Sequence, residues 1–444
     1  MDIYITSLKI NKHNLKTNMS DEKMRVLFRG WFNIPHSYSM VNCFQIVHLY
    51  KSYAKDVEFY IEEMPYFRQE WNAVKKLVYN QEYNEIIRNF REWRGEQVDL
   101  IYSITYPYNM DMTVVNGCRI PKCVFYTSEF ATLEPNYFSC TQTNLSNDSS
   151  ISEYIVNNKD LFMTSPSVWS SLGMVKYGLP ETRNRVITHG VDPTVFKYDV
   201  SSRKRVRDFY KVKPTDILMI NIGSMTRNKG MMFILQILNI LVNRLGKRYY
   251  KLLLKGTGDL YQSKTFLEIY FTELRNANAI TSEEMNTLLA DNIIFTDKTL
   301  SYDKINELFN AADLYFSPYF AEGFNLTPLE GLTAGLPLMI PRTGSTREYI
   351  NDIYNGGGED HIIYIESEVV ENETGYKQNN IDFNRLFQLF LDNEDKIKML
   401  QNQRDNGGVP SYKKMNEFIK SEYSWSRVAD LMFNYFRYII DECK

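Results

Sequence analysis

The sequence predicts an α/β protein built from two doubly wound domains, on three observations. Its 444 residues exceed what one hydrophobic core ordinarily serves, and two domains of roughly 200 residues each are the natural division. Short apolar runs alternate with longer stretches of helical spacing. Several of those runs end in glycine-bearing loops that lead into helix starts, the junction where open α/β sheets bind anionic ligands.

Composition sets the outer limits. A hydrophobic content of 44% against 24% charged residues describes a water-soluble globular chain. The net charge of −3 argues against a protein built mainly to bind nucleic acid. Aromatic residues reach 14%, with 32 Tyr, and such amphipathic rings suit sugars as well as plain cores. The cysteines Cys43, Cys118, Cys123, Cys140 and Cys443 are odd in number and match no zinc spacing, so they read as reduced thiols. No apolar run approaches a membrane span, and Met1-Asp-Ile-Tyr-Ile-Thr6 lacks a signal-peptide pattern. A cytoplasmic protein is the expectation.

In chain order, residues 1–20 are polar, with a strand expected at Ile3–Leu8. The first domain, residues 1–200, opens on Met24-Arg-Val-Leu-Phe28, a strand that stops at Gly30. Trp31–Ser39 reads as a loop and Met40–Tyr53 as a helix. Strands follow at Val57–Ile61, Val98–Tyr102 and Lys122–Tyr126, with helical sequence over 67–94. Thr141–Ser152 is rich in Ser, Thr and Asn and reads as a mobile loop. Leu161–Trp169 is a strand and helix start, and Arg185–Phe196 holds the last strand of this half. The basic run Ser201–Arg207 can meet an anionic membrane surface or form the solvated face of a connecting helix.

The second domain, residues 201–415, opens on the strand Ile217–Ile222, the loop Gly223–Gly230 and a helix from Met231 to Leu245. Tyr250–Lys255 is a strand ending in Gly256-Thr-Gly258, which lacks the full spacing of a dinucleotide redox site. A strand at Asn292–Phe295 and a helix at Ser301–Ala311 follow. The strand Ala312–Ser317 then leads into Phe320-Ala-Glu-Gly-Phe-Asn-Leu-Thr-Pro-Leu-Glu-Gly-Leu-Thr-Ala-Gly-Leu-Pro337, and Leu338–Ile340 is the strand after it. Thr327 can cap the helix between, with Pro328 at its first position and Glu330 at its third. Glu330 can therefore serve the helix or a ligand. Glu322, beside Gly323 in the loop, has no helix to serve. Later come a strand at Ile362–Ile365, a helix at Asp382–Leu391, a Gly/Pro break at Asn402–Tyr412 and a helical, aromatic end.

Glu322 and Glu330, with seven residues between them inside EGFNLTPLEGLTAGLP, resemble the donor-sugar motif of the family 4 (group 1) retaining glycosyltransferases. Arg185-Val-Ile-Thr-His-Gly-Val-Asp192 and Gly344-Ser-Thr-Arg-Glu348 resemble further segments of that family, and the likeness spans about residues 155–400. The resemblance implies the GT-B fold, two Rossmann-like domains facing a cleft, with residues 416–444 crossing back to the first. It implies transfer of a hexose from a UDP- or GDP-sugar to a hydroxyl of a carbohydrate or glycolipid, with retention of configuration and no metal or other cofactor. Glu322 would face the donor sugar, Glu330 would hold the ribose, and Lys229 would grip the diphosphate. A second basic residue of the family falls at Ser224 here, and Arg227 is the nearest substitute.

The wider donor set implied is Gly223, Ser224, Lys255, Gly256, Thr299, Gly323, Phe324, Asn325, Leu326 and Thr327. On the acceptor side, His36-Ser-Tyr-Ser39 replaces a glycine pair, which brings forward His36, Tyr38 and Ser39. The loop after Tyr126 lacks the histidine many relatives carry. Glu129 is the nearest polar candidate for acceptor binding or base work, and equally a surface or capping residue. His189 faces the interdomain region by the same analogy, or is structural. Two other functions share the architecture: a sugar-nucleotide epimerase, which needs an acid and a base around the sugar, and an inactive nucleotide-sugar or glycan-binding protein.

Overall fold

The computed structural model describes residues 22–74 and 79–444; the strand expected at Ile3–Leu8 lies outside the described residues. Two parallel sheets organise the chain. The first has seven strands in the order Asn184–Val186, Leu161–Ser165, Lys122–Phe125, Leu100–Ile104, Met24–Gly30, Val57–Glu63 and Arg91–Glu92. The second has six, in the order Ile293–Thr296, Tyr250–Lys255, Ile217–Ile222, Leu314–Phe316, Leu338–Pro341 and Ile362–Ile365. The central strands are buried and mostly apolar, with only Ser103 and Asn221 polar in Leu100–Ile104 and Ile217–Ile222, because helices cover both faces. In each sheet the winding reverses at one place, between Met24–Gly30 and Leu100–Ile104 in the first and between Ile217–Ile222 and Leu314–Phe316 in the second. The strand ends flanking such a reversal leave a crevice, and a ligand belongs there.

Several local expectations change. The helix expected from Met40 begins at Ser37, because His36 caps it: its Nδ1 accepts from the Tyr38 amide at 3.1 Å. His36–Ser39 is thus a cap and first turn, not a loop. Of the helical stretch expected over 67–94, the described parts form a 3-10 turn at Gln69–Val74 and a helix at Gln81–Arg88. The end of the stretch expected as a mobile loop is helix from Asp148, started by a reciprocal cap between Asn147 and Ser150. The break expected from Asn402 starts later, since the Glu394–Asp405 helix runs through it.

The basic run at 201–207 is neither a solvated face nor a membrane contact at its two inward positions. Arg203 and Arg207 are buried in the Val200–Phe209 helix and pair with the buried Asp313. Arg203 also donates to the carbonyls of Asn310, Ala311 and Ala312, which the Tyr302–Ala311 helix leaves unpaired at its end. Such a pair is stable only with its hydrogen bonds satisfied, and here the helix end satisfies them.

The final helix, Trp425–Glu442, packs on Ser37–Tyr53 beneath the first sheet. Trp425 stacks on Phe44 with ring centroids 5.2 Å apart, and Phe433 on Tyr53 at 3.9 Å. Gly190 lets the chain pass: a Cβ there would lie 2.6 Å from the Trp425 amide nitrogen. No helix among the described residues is long and apolar enough to cross a membrane.

Candidate active site

A cavity of about 550 Å³ opens between the ends of the two sheets. The first half contributes the 35–41 turn, Phe125, Thr127, Glu129 and His189; the second contributes the loops after Ile222, Lys255 and Tyr319.

Its floor is the loop from Phe320 to Asn325. Ser167 and Ser170 of the first half both donate to the Gly323 carbonyl, at 2.6 and 2.9 Å. Gly323 is needed for this approach, since a Cβ would fall 1.8 Å from Thr127 Oγ1. Asn228 holds the loop from the other side, donating to the Ala321 carbonyl at 2.8 Å. The helix that follows runs from Leu326 to Thr333, so Thr327 is not its cap. Asn325 turns the chain with φ 64°, a conformation asparagine tolerates, and no side chain caps the helix. Pro328 then sits at the third position, where its missing N–H costs no helical bond.

Glu330 makes no capping bond. It is buried, lines the cavity, and its carboxyl has no hydrogen-bond partner among the described residues. Burial pushes its carboxyl up to about 8. Glu322, also buried, pairs with the Lys229 ammonium. Burial alone would lower the lysine, but Glu322 and Glu129 outweigh it and hold it above its ordinary range. Lys229 is placed by a tight turn into the Met231–Asn239 helix. Gly230 closes that turn with φ 68°, where a Cβ would stand 1.9 Å from the Pro318 carbonyl.

Glu129 opens into the cavity, but protein encloses the space around it. Loss of bulk water pushes its carboxyl up to about 7, with Lys229 pulling down and Glu322 pushing up. Its carboxylate also accepts from Asn228 Nδ2 at 3.3 Å. Two carboxyls and one ammonium therefore share the centre of the cavity.

Of the other predicted residues, Gly223, Ser224, Lys255, Thr299, Phe324, Asn325, Leu326, Thr327, His36, Tyr38 and His189 all line it. Three do not. Arg227 is exposed and paired with Glu273, so it cannot stand in for the basic residue missing at Ser224. Gly256 packs against Ser263, and Ser39 is buried in the helix behind the wall. The second cation at the cavity is Lys255 instead. Burial lowers it to about 8, against the attraction of Asp297 and Asp259.

Neither histidine is poised to titrate near neutrality. Burial lowers both His36 and His189 to about 3. His36 Nδ1 is occupied as an acceptor, so its Nε2 carries the proton and donates to the Tyr261 hydroxyl at 2.7 Å, bridging the halves. His189 packs between Phe125, Phe324 and Trp425.

Three buried polar atoms on the cavity wall have no partner among the described residues: Asn325 Nδ2, Tyr302 Oη and His189 Nδ1. Tyr302 and Tyr261 escaped the sequence reading, which placed the site in glycine loops: Tyr302 opens a helix after the glycine-free segment 297–301, and Tyr261 ends the short Gly258–Tyr261 helix. Glu348, in the segment that resembled a family turn, accepts from the Val168 amide at 3.1 Å and ties the two halves together.

Residues 216–370 match the family model described as Glycosyl transferases group 1. An uncharacterized glycosyltransferase of Methanocaldococcus jannaschii is 22% identical over 182 residues, covering 40% of this chain and 42% of that protein. Among solved structures, Anabaena HepE in complex with UDP-glucose superposes with a TM-score of 0.57 at 13% identity, covering 94% of this chain and 100% of that one. Sucrose-phosphate synthase from Thermosynechococcus elongatus gives 0.60 at 11% identity, over 95% and 100%. These likenesses show the fold: two α/β domains in the GT-B arrangement.

Proposed function

From a chain that carries a glycosyl transferases group 1 domain on a GT-B fold, we propose a glycosyltransferase that moves a hexose from a nucleoside-diphosphate sugar to an acceptor hydroxyl, with retention of configuration. The observation that carries the reading is the convergence of Lys229, Lys255, Glu322 and Glu330 on one cavity beside an uncapped helix N-terminus. Residues 1–200 would hold the acceptor, 201–415 the nucleotide sugar, and 416–444 tie the second part to the first.

The chemistry follows from charge. Breaking the glycosidic bond leaves new negative charge on the diphosphate, and fixed ammonium groups stabilise it. Lys229 is held in place for this by Glu322, and Lys255 supplies the second cation that Ser224 does not. The free amides at the start of the Leu326–Thr333 helix add positive potential. Glu322 then orients the sugar hydroxyls. Glu330 accepts from the ribose hydroxyls, and the nucleobase lies toward Thr299, Leu300 and Tyr302. Glu129 stands on the acceptor side, titrating near neutrality, where it can take a hydrogen bond from the attacking hydroxyl. The docked loops exclude water and hold the partners at reacting distance. A sugar-nucleotide epimerase, which needs an acid and a base around the sugar, would have to use the cavity carboxyls, since the two histidines are committed to packing or to a bridge.

The test is release of nucleoside diphosphate from a panel of UDP- and GDP-hexoses, with and without acceptor sugars. Turnover with at least one donor is expected. Lys229→Ala and Glu322→Ala should each lose about 100- to 1,000-fold in kcat. Equal turnover in both variants would remove these residues from the reaction.

A further inference from the structure

Beside the central cavity lies a second one, of about 310 Å³, in the first half of the molecule. The two share His36, Tyr38, Thr127, Glu129 and Tyr261 and so communicate at the Glu129 carboxyl. The walls of the second chamber are aromatic: Trp31, Phe67, Trp71, Tyr106 and Tyr137. The rings brace one another edge to face, with Trp31 and Trp71 5.8 Å apart at 88° and Phe67 and Tyr106 5.0 Å apart at 74°. Trp31 and Trp71 are buried and back this wall, and Phe67, Tyr106 and Tyr137 are the rings that keep open surface toward the interior. Arg68 stands at the rim over Trp71, 5.8 Å from its ring centre, and makes no ion pair among the described residues.

We propose that this chamber is the acceptor subsite and that its occupant is the terminal saccharide residue of the acceptor. This rests on the reading of the central cavity as the donor site. The chemistry of the lining chooses the occupant. A sugar ring has an apolar C–H face, which seats on the electron-rich face of an aromatic ring, and a rim of hydroxyls that needs partners. Tyrosine hydroxyls, Thr132 and the Arg68 guanidinium offer such partners here. A lipid chain would call for an aliphatic surface, and Leu133 is the one aliphatic hydrophobic residue in the lining. Position agrees: a hydroxyl of a seated sugar would emerge at Glu129, where the donor cavity begins.

The subsite is complete only when the halves are together, because Tyr261 comes from the second half. It reaches across through its bond with His36 and packs 6.2 Å from Trp71. Saccharide binding is therefore coupled to the closed arrangement that also docks the Gly323 loop.

The probes are methyl glycosides of glucose, galactose, mannose and N-acetylglucosamine, together with cellobiose, and dodecyl phosphate as the lipid comparator. Binding to the full chain is read by tryptophan fluorescence, since Trp31 and Trp71 line the wall, with and without UDP. Saturable binding of at least one saccharide is expected, undisturbed by dodecyl phosphate. Phe67→Ala, at a half-exposed position, and Tyr137→Ala should each weaken it about five- to tenfold. UDP or GDP, whichever binds the parent, should raise the melting temperature of both variants as it does that of the parent, which shows that they fold. No saccharide binding, equal affinity in both variants, or displacement of the saccharide by dodecyl phosphate would each overturn the proposal. If the saccharides bind as expected but neither UDP nor GDP produces a shift, the donor reading falls and the subsite stands.

Discussion

Burial without a partner pushes the Glu330 carboxyl up to about 8, and that gives stability a definite pH dependence. In the unfolded chain a glutamate titrates at about 4.3. The folded protein thus binds more protons than the unfolded one between that value and about 8. The stability held by protonated Glu330 is complete below the unfolded value and is lost as pH rises through the folded one. Glu330→Gln stays neutral and escapes the loss. At about pH 9 the ligand-free variant should be more stable than the parent by on the order of 1–3 kcal/mol, and the gap should close by about pH 5. Denaturant melts across that range check it; parallel curves would mean that Glu330 ionises without cost. Its spacing from Glu322 was legible in the sequence, but its local role was not. Thr327-Pro-Leu-Glu330 has the pattern of a reciprocal cap, yet Asn325 adopts the left-handed turn and starts the helix two residues before the position expected.

Among the elements, the Phe320–Asn325 loop decides the geometry. It joins the switch-point strand to its helix and is held by Ser167, Ser170 and Asn228. Gly323→Ala would drive a Cβ into Thr127 and lift Glu322 away from its place. A loss of about 10- to 100-fold in kcat is expected, partly restored by adding Thr127→Ala, with the overall fold intact by circular dichroism. Unchanged kcat would show that the reaction does not need the loop docked on the first half. Strands and glycine loops of this kind are readable from apolar runs and their punctuation. What touches them is not. Arg203 and Arg207 look like a solvated basic run until Asp313, more than a hundred positions away, meets them inside the fold. Arg227 fails the other way: its place in a phosphate-type loop suggests a ligand, while Glu273 draws it outward.

Across the whole molecule, the C-terminal helix fastens the second half to the first. Trp425 is buried between Phe44 and His189, and the chain beside it pairs with Val191, whose amide donates to the Tyr423 carbonyl at 2.8 Å. Trp425→Ala should cost about 3–5 kcal/mol, read as a lower denaturation midpoint. A loss well under 1 kcal/mol would mean that the helix is loosely attached. An aromatic, amphipathic end was visible in the sequence, whereas the register that sets Trp425 on Phe44 depends on the Gly190 crossing. The central claim is that the cavity between the sheets holds a nucleoside diphosphate on Lys229. Calorimetric titration of the parent and of Lys229→Ala with UDP and GDP tests it most directly. The account predicts saturable binding of at least one of them to the parent and at least about tenfold weaker binding to the variant. Absence of binding by both nucleotides, or equal affinity in parent and variant, would contradict it.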